Sequence, residues 1–361
     1  MEINRNNETT RIFGLDIFRA VAILLVVFGH GLFLLDNTRF NGFPYFRMID
    51  GVDLFFVLSG FLIGGILLKE INSEKKFGID ALRKFWKRRW LRTLPNYYLI
   101  LLINYLVVKY EIIHEDINQF NWKFLFFLQN LSKPFYGFFW ESWSLTIEEW
   151  FYISTPLLLI LFLNFICAQK AFILTTTLMI VLPFLYRICI LDPSIDDFWY
   201  DVTFRKIVLT RLDGIAYGLL ASWVFYYYYA YWNKLKIISA IVGVLLILVI
   251  INTSAPNSSF YKQVIYFSIS PFSAMLLLPF AESIKTSKGI ISKAITHISK
   301  ISYSMYLLNL AIVAEVIGGN FPSANEKNGI INYIIYWILV LGMSTLLYNY
   351  FEKPIMRLRD R

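Results

Sequence analysis

An arginine and a histidine inside one apolar run are the first residues of this 361-residue chain that could do chemistry. Arg19 and His30 lie eleven positions apart within residues 12–35. On a helix that spacing is about three turns, so both side chains leave nearly the same face about 16 Å apart along the axis. A neutral imidazole can take a proton from a hydroxyl and return it to a leaving group. A guanidinium can counter negative charge in a tetrahedral transition state or on a bound anion. Asp16, three residues before Arg19, shares that side of the helix and could share its polar face. The plainer alternative for His30 is a hydrogen bond between helices. The other two histidines, His114 and His297, fall in loops, where solvation accounts for them.

Two further groupings follow. Lys87, Arg88, Arg89 and Arg92, with Pro95 beyond them, form a basic cluster in which Arg89 and Arg92 are one turn apart, and guanidinium forks suit phosphate oxygens. An anionic cosubstrate could dock there; a topology signal with contacts to lipid phosphates is the competing explanation. Trp143, Ser144, Leu145 and Glu148, with Glu149 beside them, open a later apolar run. Glu148, one turn below Ser144, could orient an imidazole or bind sugar hydroxyls. The same residues could instead be a helix start, Ser144 as cap and the acids answering the helix dipole. Arg211 and Asp213 begin another run, where the acid suits a helix start and the arginine could snorkel. Ser302, Tyr303, Tyr306 and Asn309 suggest hydrogen bonds between helices. Gly51, Asp53, Ser59 and Gly60 suggest close helix approach. No cysteine or histidine grouping has metal-ligand spacing, and neither a glycine-rich phosphate loop nor a Gly-x-Ser-x-Gly elbow occurs.

The elements that must hold these groups are membrane helices. The chain is 57% hydrophobic and 16% charged, well below the charged share of about 25% usual in soluble domains. Apolar runs fall near 12–35, 50–68, 94–113, 146–165, 171–191, 210–229, 236–252, 261–283, 301–320 and 330–351. Ten crossings predict an all-α polytopic bundle with both termini on one side. Residues 69–92 carry nine Lys and Arg against three acids, so that loop, and with it both termini, is expected on the cytoplasmic side. The net charge of +9 therefore speaks of orientation and membrane lipids, not nucleic acid. The first run is read as a retained span, not a cleaved signal peptide. Residues 121–131 are too short to cross and are expected to lie in the outer interface or to dip in and return. Tyr226 to Tyr229 read as an interfacial belt, and Cys167 and Cys189 as small buried apolar residues.

Taken together, the segments GLDIFRAVAILLVVFGHG, GVDLFFVLSGFLIG, RRWLRTLPNYY, WSLTIEEWFY, RLDGIAYG, ISYSMYLLN and YFEKP resemble, in order and spacing over nearly the whole chain, acyltransferase family 3 of integral membrane proteins, which includes O-acetylases of bacterial surface polysaccharides. The resemblance implies transfer of an acyl group, usually acetyl from cytosolic acetyl-CoA, to a hydroxyl of a glycan or lipid-linked saccharide at the outer face of a bacterial cytoplasmic membrane, with no metal. It implies catalytic roles for His30, Arg19 and Glu148 and acyl-CoA contacts at Arg89 and Arg92, with Arg88 in the same cluster. Trp143, Ser144, Asp16, Arg211, Asp213, Tyr306 and Asn309 are the expected supporting positions. One departure stands out: the ninth-span motif usually ends in histidine, and this chain has Asn309. A single membrane domain over 1–361 with no appended soluble domain is expected. The rival readings are a transporter or flippase moving an anion or proton past Arg19 and His30, and a scaffold that binds glycan or lipid without chemistry. Against transport, no paired glycine- or proline-broken spans occur in matching halves.

Overall fold

The computed structural model describes residues 11–41, 50–73 and 77–359. The ends of the chain, part of the first outer loop (42–49) and part of the basic loop (74–76) lie outside the described residues, as does the expected position of the termini. Among the described residues there is no strand, and ten helices are long and apolar enough to cross a membrane. The protein is a multi-pass membrane protein. The helices are α1 (Phe13–Gly31), α2 (Gly51–Ile71), α3 (Ile79–Lys109), α4 (Ser142–Leu163), α5 (Ala168–Cys189), the short α6 (Asp197–Tyr200), α7 (Val208–Tyr227), α8 (Tyr229–Asn252), α9 (Tyr266–Ser283), α10 (Ile290–Leu308), the short α11 (Val316–Asn320), α12 (Glu326–Leu347) and α13 (Lys353–Arg359).

The boundaries differ from the hydropathy reading where polar residues are helical. α3 begins at Ile79, fifteen residues before the expected start, so the basic cluster stands on the helix and not in a loop. A hydropathy window registers the charges, whereas the backbone only needs residues of good helix propensity, which Leu, Arg and Lys are. α10 likewise starts at Ile290 and runs on through a π-helical stretch, Asn309–Glu315, into α11.

α2 and α7 form the closest pair at the centre. A Cβ on Gly218 would stand 2.1 Å from the Val57 carbonyl oxygen, and one on Gly60 would stand 2.0 Å from that of Ile215. Only hydrogen fits at this crossing, the small-residue packing typical of membrane helices. Around it a buried ionic belt ties four helices together. Arg187 of α5 pairs with Asp213 of α7 at 2.7 Å, and Arg211 of α7 pairs with Asp53 of α2. Ser270 of α9 donates to the second oxygen of Asp53 at 2.6 Å. Charges inside a bilayer must find partners or water, and here they find each other.

Residues 121–131 dip and return. The Asp116 N–H donates to the Gly137 carbonyl at the neck, while at the tip Tyr97, Tyr98 and Trp150 donate to the carbonyls of Phe124, Leu125 and Phe127. Tyr97 is twelve residues before the end of α3, about 18 Å along the helix. These side chains supply donors that a non-helical backbone at that depth needs. Cys167 and Cys189 are both exposed. Each flanks a helix end at the perimeter of α5, so neither fills the interior position expected for it.

Candidate active site

Five helices enclose a cavity of about 90 Å³. Arg19 reaches it from α1, Ser59 from α2, Arg89, Arg92 and Thr93 from α3, Ser144, Glu148 and Tyr152 from α4, and Ser302, Tyr303 and Tyr306 from α10. Residues from five well-separated stretches thus converge, and three of the charged ones are arginines. Among the described residues Arg19 and Arg92 make no hydrogen bond or ion pair with a protein group. Their donors face the cavity. Glu148 is the lining carboxylate: Ser59 Oγ and Tyr152 Oη each donate to it at 3.1 Å. The adjacent Glu149 is not a lining residue; it accepts from Thr93 at 2.8 Å and Trp90 at 3.0 Å, which fixes α3 against α4. Pro156 lies inside α4 and Pro95 inside α3, where each removes a backbone hydrogen bond.

His30 stands apart from the cavity lining, at the far end of α1 and half-buried. Its Nδ1 lies 2.6 Å from Asn309 Oδ1. The amide cannot be turned round, because Asn309 Nδ2 donates to the carbonyls of Met305 at 2.9 Å and Tyr306 at 2.7 Å. Oδ1 therefore faces the imidazole as an acceptor, so Nδ1 carries the proton and Nε2 keeps its lone pair. The side chain takes up carbonyls that the helix would otherwise use, at the very residue where the π-helical stretch begins.

Tyr306 joins the two regions. Its ring lines the cavity, and its carbonyl holds the amide that orients His30. Its hydroxyl accepts from Ser144 Oγ at 2.6 Å and donates to the Glu141 carbonyl at 2.9 Å. Ser144 is thus the third residue of α4 and bonded across to α10, not the helix cap. The cap position is Glu141, whose carboxyl accepts from the Ala311 N–H and is otherwise enclosed. Burial and the nearby Glu115 push Glu141 up to about 8, and burial raises Glu115 to about 7.

The other expected positions fall outside the cavity. Arg88 is exposed. Asp16 accepts from Arg11 at 2.5 Å and from Ser299 at 2.8 Å, clamping α1 to α10. Trp143 is buried under Arg205, and Arg211 and Asp213 belong to the ionic belt. Glu148 does not reach the imidazole, whose Nδ1 is held by Asn309. Sequence reasoning passed over Arg187, although an arginine inside an apolar run is itself a signal. It also passed over Asp50, Arg205, Asp201 and Lys206, whose ion pairs run at 3.1, 3.1 and 2.5 Å beside the His30 end of the bundle. Asp201 and Arg205 are an i,i+4 pair that spacing could have found, whereas Asp50, 155 residues away, is brought to Arg205 only by the fold. Among the described residues no group of three His, Cys, Asp or Glu side chains could hold a metal ion.

The acyltransferase-domain family model matches residues 12–349. The O-acetyltransferase OatA of Staphylococcus aureus (strain NCTC 8325 / PS 47) is 28% identical over 381 residues, which cover 95% of this chain and 57% of that protein. The peptidoglycan O-acetyltransferase OatA of Listeria monocytogenes serovar 1/2a (strain ATCC BAA-679 / EGD-e) is 33% identical over 175 residues, 43% of this chain and 25% of its own length. The chain spans little more than half the length of the curated relatives it matches over most of its residues. No solved structure matches it. With the family match running through every helix that builds the arginine-lined cavity and the His30 pair, the chain belongs to the acyltransferase 3 family of integral membrane proteins.

Proposed function

We propose that this protein is a bacterial cytoplasmic-membrane O-acetyltransferase that moves an acetyl group from cytosolic acetyl-CoA to a hydroxyl of a glycan at the outer face. The observation that carries the reading is the cavity itself: Arg19 and Arg92 present guanidinium donors that no described protein group takes, beside Arg89. Such donors suit the phosphates of an acyl-CoA. The basic cluster on α3 supports a cytosolic position for that end by the positive-inside rule, and with it an outer-half position for His30. The even number of candidate spans among the described residues fits both termini on that same side.

At about 90 Å³ the cavity is smaller than the roughly 300–1,000 Å³ of ordinary ligand pockets, so donor binding widens it. Tyr306 and Ser144 close its upper end, and passage of the thioester toward His30 parts that hydrogen bond. His30 Nε2 takes the proton of the acceptor hydroxyl as its oxygen bonds to the thioester carbonyl carbon. Arg19 counters negative charge on the donor along the way. The carbon–sulfur bond then breaks, and His30 returns the proton to the leaving thiolate. Glu148 serves as the counter-charge that keeps the arginines together when the donor is absent.

The test is release of CoA and labelling of acceptor from radiolabelled acetyl-CoA in membranes bearing His30→Ala at wild-type abundance. Loss of both is expected, and full retained transfer rules out the proposed base.

A further inference from the structure

On the His30 side of the bundle, two loops bring exposed rings together over a row of ion pairs. Tyr136 and Trp140 come from residues 110–141, Phe198 and Trp199 from residues 190–207. Both loops leave helix ends on the same face of the membrane as His30, because each follows an odd-numbered crossing as α1 does. Phe198 stands at the centre, with ring centroids at 5.8 Å from Tyr136, 6.4 Å from Trp140 and 5.5 Å from Trp199, all near edge-to-face. In an edge-to-face pair the edge of one ring meets one face of the other, so part of each ring stays uncovered. Tyr136, Phe198 and Trp199 remain 40%, 46% and 44% exposed.

Behind the rings runs a polar row. Lys206 Nζ lies 4.5 Å over the Trp140 ring and 2.5 Å from Asp201. Arg205 bridges Asp201 and Asp50, lies over Trp143, and is itself one-third exposed. Arg205, Lys206 and Asp50 are within electrostatic reach of His30. The ion-paired row, which begins under the Trp140 ring, therefore lies on the imidazole's side of the bundle.

We propose that this aromatic shelf, with the Asp50–Arg205–Asp201–Lys206 row behind it, binds the glycan chain whose hydroxyl is acetylated. The inference rests on the acetyl-transfer reading above. A pyranose offers apolar C–H faces and a rim of hydroxyls. Part-exposed aromatic rings match the first, and carboxylates alternating with cationic donors match the second. An interfacial lipid belt has the same rings, but it has no need of a salt-bridged row leading inward from them. A bound chain laid on the shelf extends toward His30 along that row.

The test uses the full-length protein in nanodiscs. Binding of chitopentaose, a β-1,4-linked N-acetylglucosamine oligomer, and of solubilised peptidoglycan glycan strands is measured by calorimetry, and KM for the same saccharides by CoA release. Phe198→Ala and Trp199→Ala are expected to weaken binding and raise the saccharide KM by about tenfold each. Trp199→Phe is expected to restore most of the loss, and the melting temperature reports whether each variant folds. Unchanged saccharide affinity in the Phe198→Ala, Trp199→Ala double variant overturns the shelf. So does failure of the wild type to bind either saccharide, or quenching of Trp199 by brominated lipid in the wild type, which marks a lipid belt instead. Wild-type protein that binds the saccharides and releases no CoA keeps the shelf and refutes the acetyl-transfer reading.

Discussion

His30 Nδ1 donates to Asn309 Oδ1 across 2.6 Å, and the amide that accepts it is anchored by two carbonyls of its own helix. The position where the family motif usually carries histidine thus holds an acceptor of one orientation, which selects a single imidazole tautomer. An amide needs no protonation to do this. Asn309 is a positioning residue for the proposed base.

Removing that acceptor follows directly. Asn309→Leu frees the ring to rotate and to exchange tautomers, and is expected to lower kcat about 100-fold with little change in the KM for acetyl-CoA. Asn309→Asp, which keeps an acceptor at the same place, retains more activity than Asn309→Leu. Steady-state CoA release on equal amounts of folded protein reads the split, and a KM change with kcat intact would place Asn309 at the donor instead.

The arginines of α3 separate by direction. Arg92→Gln is expected to raise the KM for acetyl-CoA by about tenfold or more, since a charge-assisted contact to phosphate contributes about 1.5–3 kcal/mol. Arg88→Gln, at an exposed position outside the cavity, is expected to have the smaller effect. Equal KM values for the two variants would move the donor site off the cavity.

The ionic belt predicts an asymmetric mutant cycle. Arg187 and Asp213 are wholly buried and paired at 2.7 Å, so Arg187→Met leaves a buried carboxylate uncompensated at a cost of about 3–5 kcal/mol. The double variant Arg187→Met, Asp213→Leu recovers much of that stability. Thermal unfolding in detergent compares wild type, Arg187→Met, Asp213→Leu and the double variant, and additive losses would mean the pair is not coupled.

The crossing of α2 and α7 tolerates no side chain. Gly218→Val would drive methyl groups into the Val57 carbonyl and the Gly60 backbone, and is expected to abolish folded protein, whereas Gly342→Ala, which meets nothing within 4 Å, leaves the yield unchanged. Size-exclusion profiles of solubilised membranes distinguish them.

Glu141 predicts a pH dependence of stability. Burial first, then Glu115, lift its carboxyl to about 8 in the folded protein, above the ordinary value near 4.5. A raised folded value means stability is fully present below about pH 4.5 and is lost as pH climbs through about 8. Glu115 and Glu315 lie within electrostatic reach of Glu141, and His114 within reach of Glu315. Glu141→Gln is expected to flatten the fall in melting temperature between about pH 5 and 8. Parallel curves for variant and wild type would exclude Glu141 as the titrating group.

Much was legible in one dimension. Ten apolar runs gave ten crossing helices, and the helical spacing of Arg19, of Arg89 with Arg92 and of Glu148 with Ser144 placed each on a shared face that the bundle turns inward. Hydropathy could not see that charged residues 79–92 continue a helix, because propensity and polarity are separate properties there. Spacing also suggested that Arg19 and His30 share one stripe, yet only Arg19 lines the cavity, while His30 meets Asn309 beyond Tyr306, which is itself a lining residue.

What the sequence alone determined is therefore which residues lie in the membrane and which face of each helix is polar, since both follow from local periodicity along a single chain. The tertiary structure alone decided who meets whom: Asn309 and not Glu148 on His30, Arg187 on Asp213, and the dip of residues 121–131 against Tyr97 and Trp150. Those choices depend on the rotation and crossing of helices far apart in the chain. Close packing at Gly60 and Gly218 sets them, together with the need of every buried charge and backbone group for a partner.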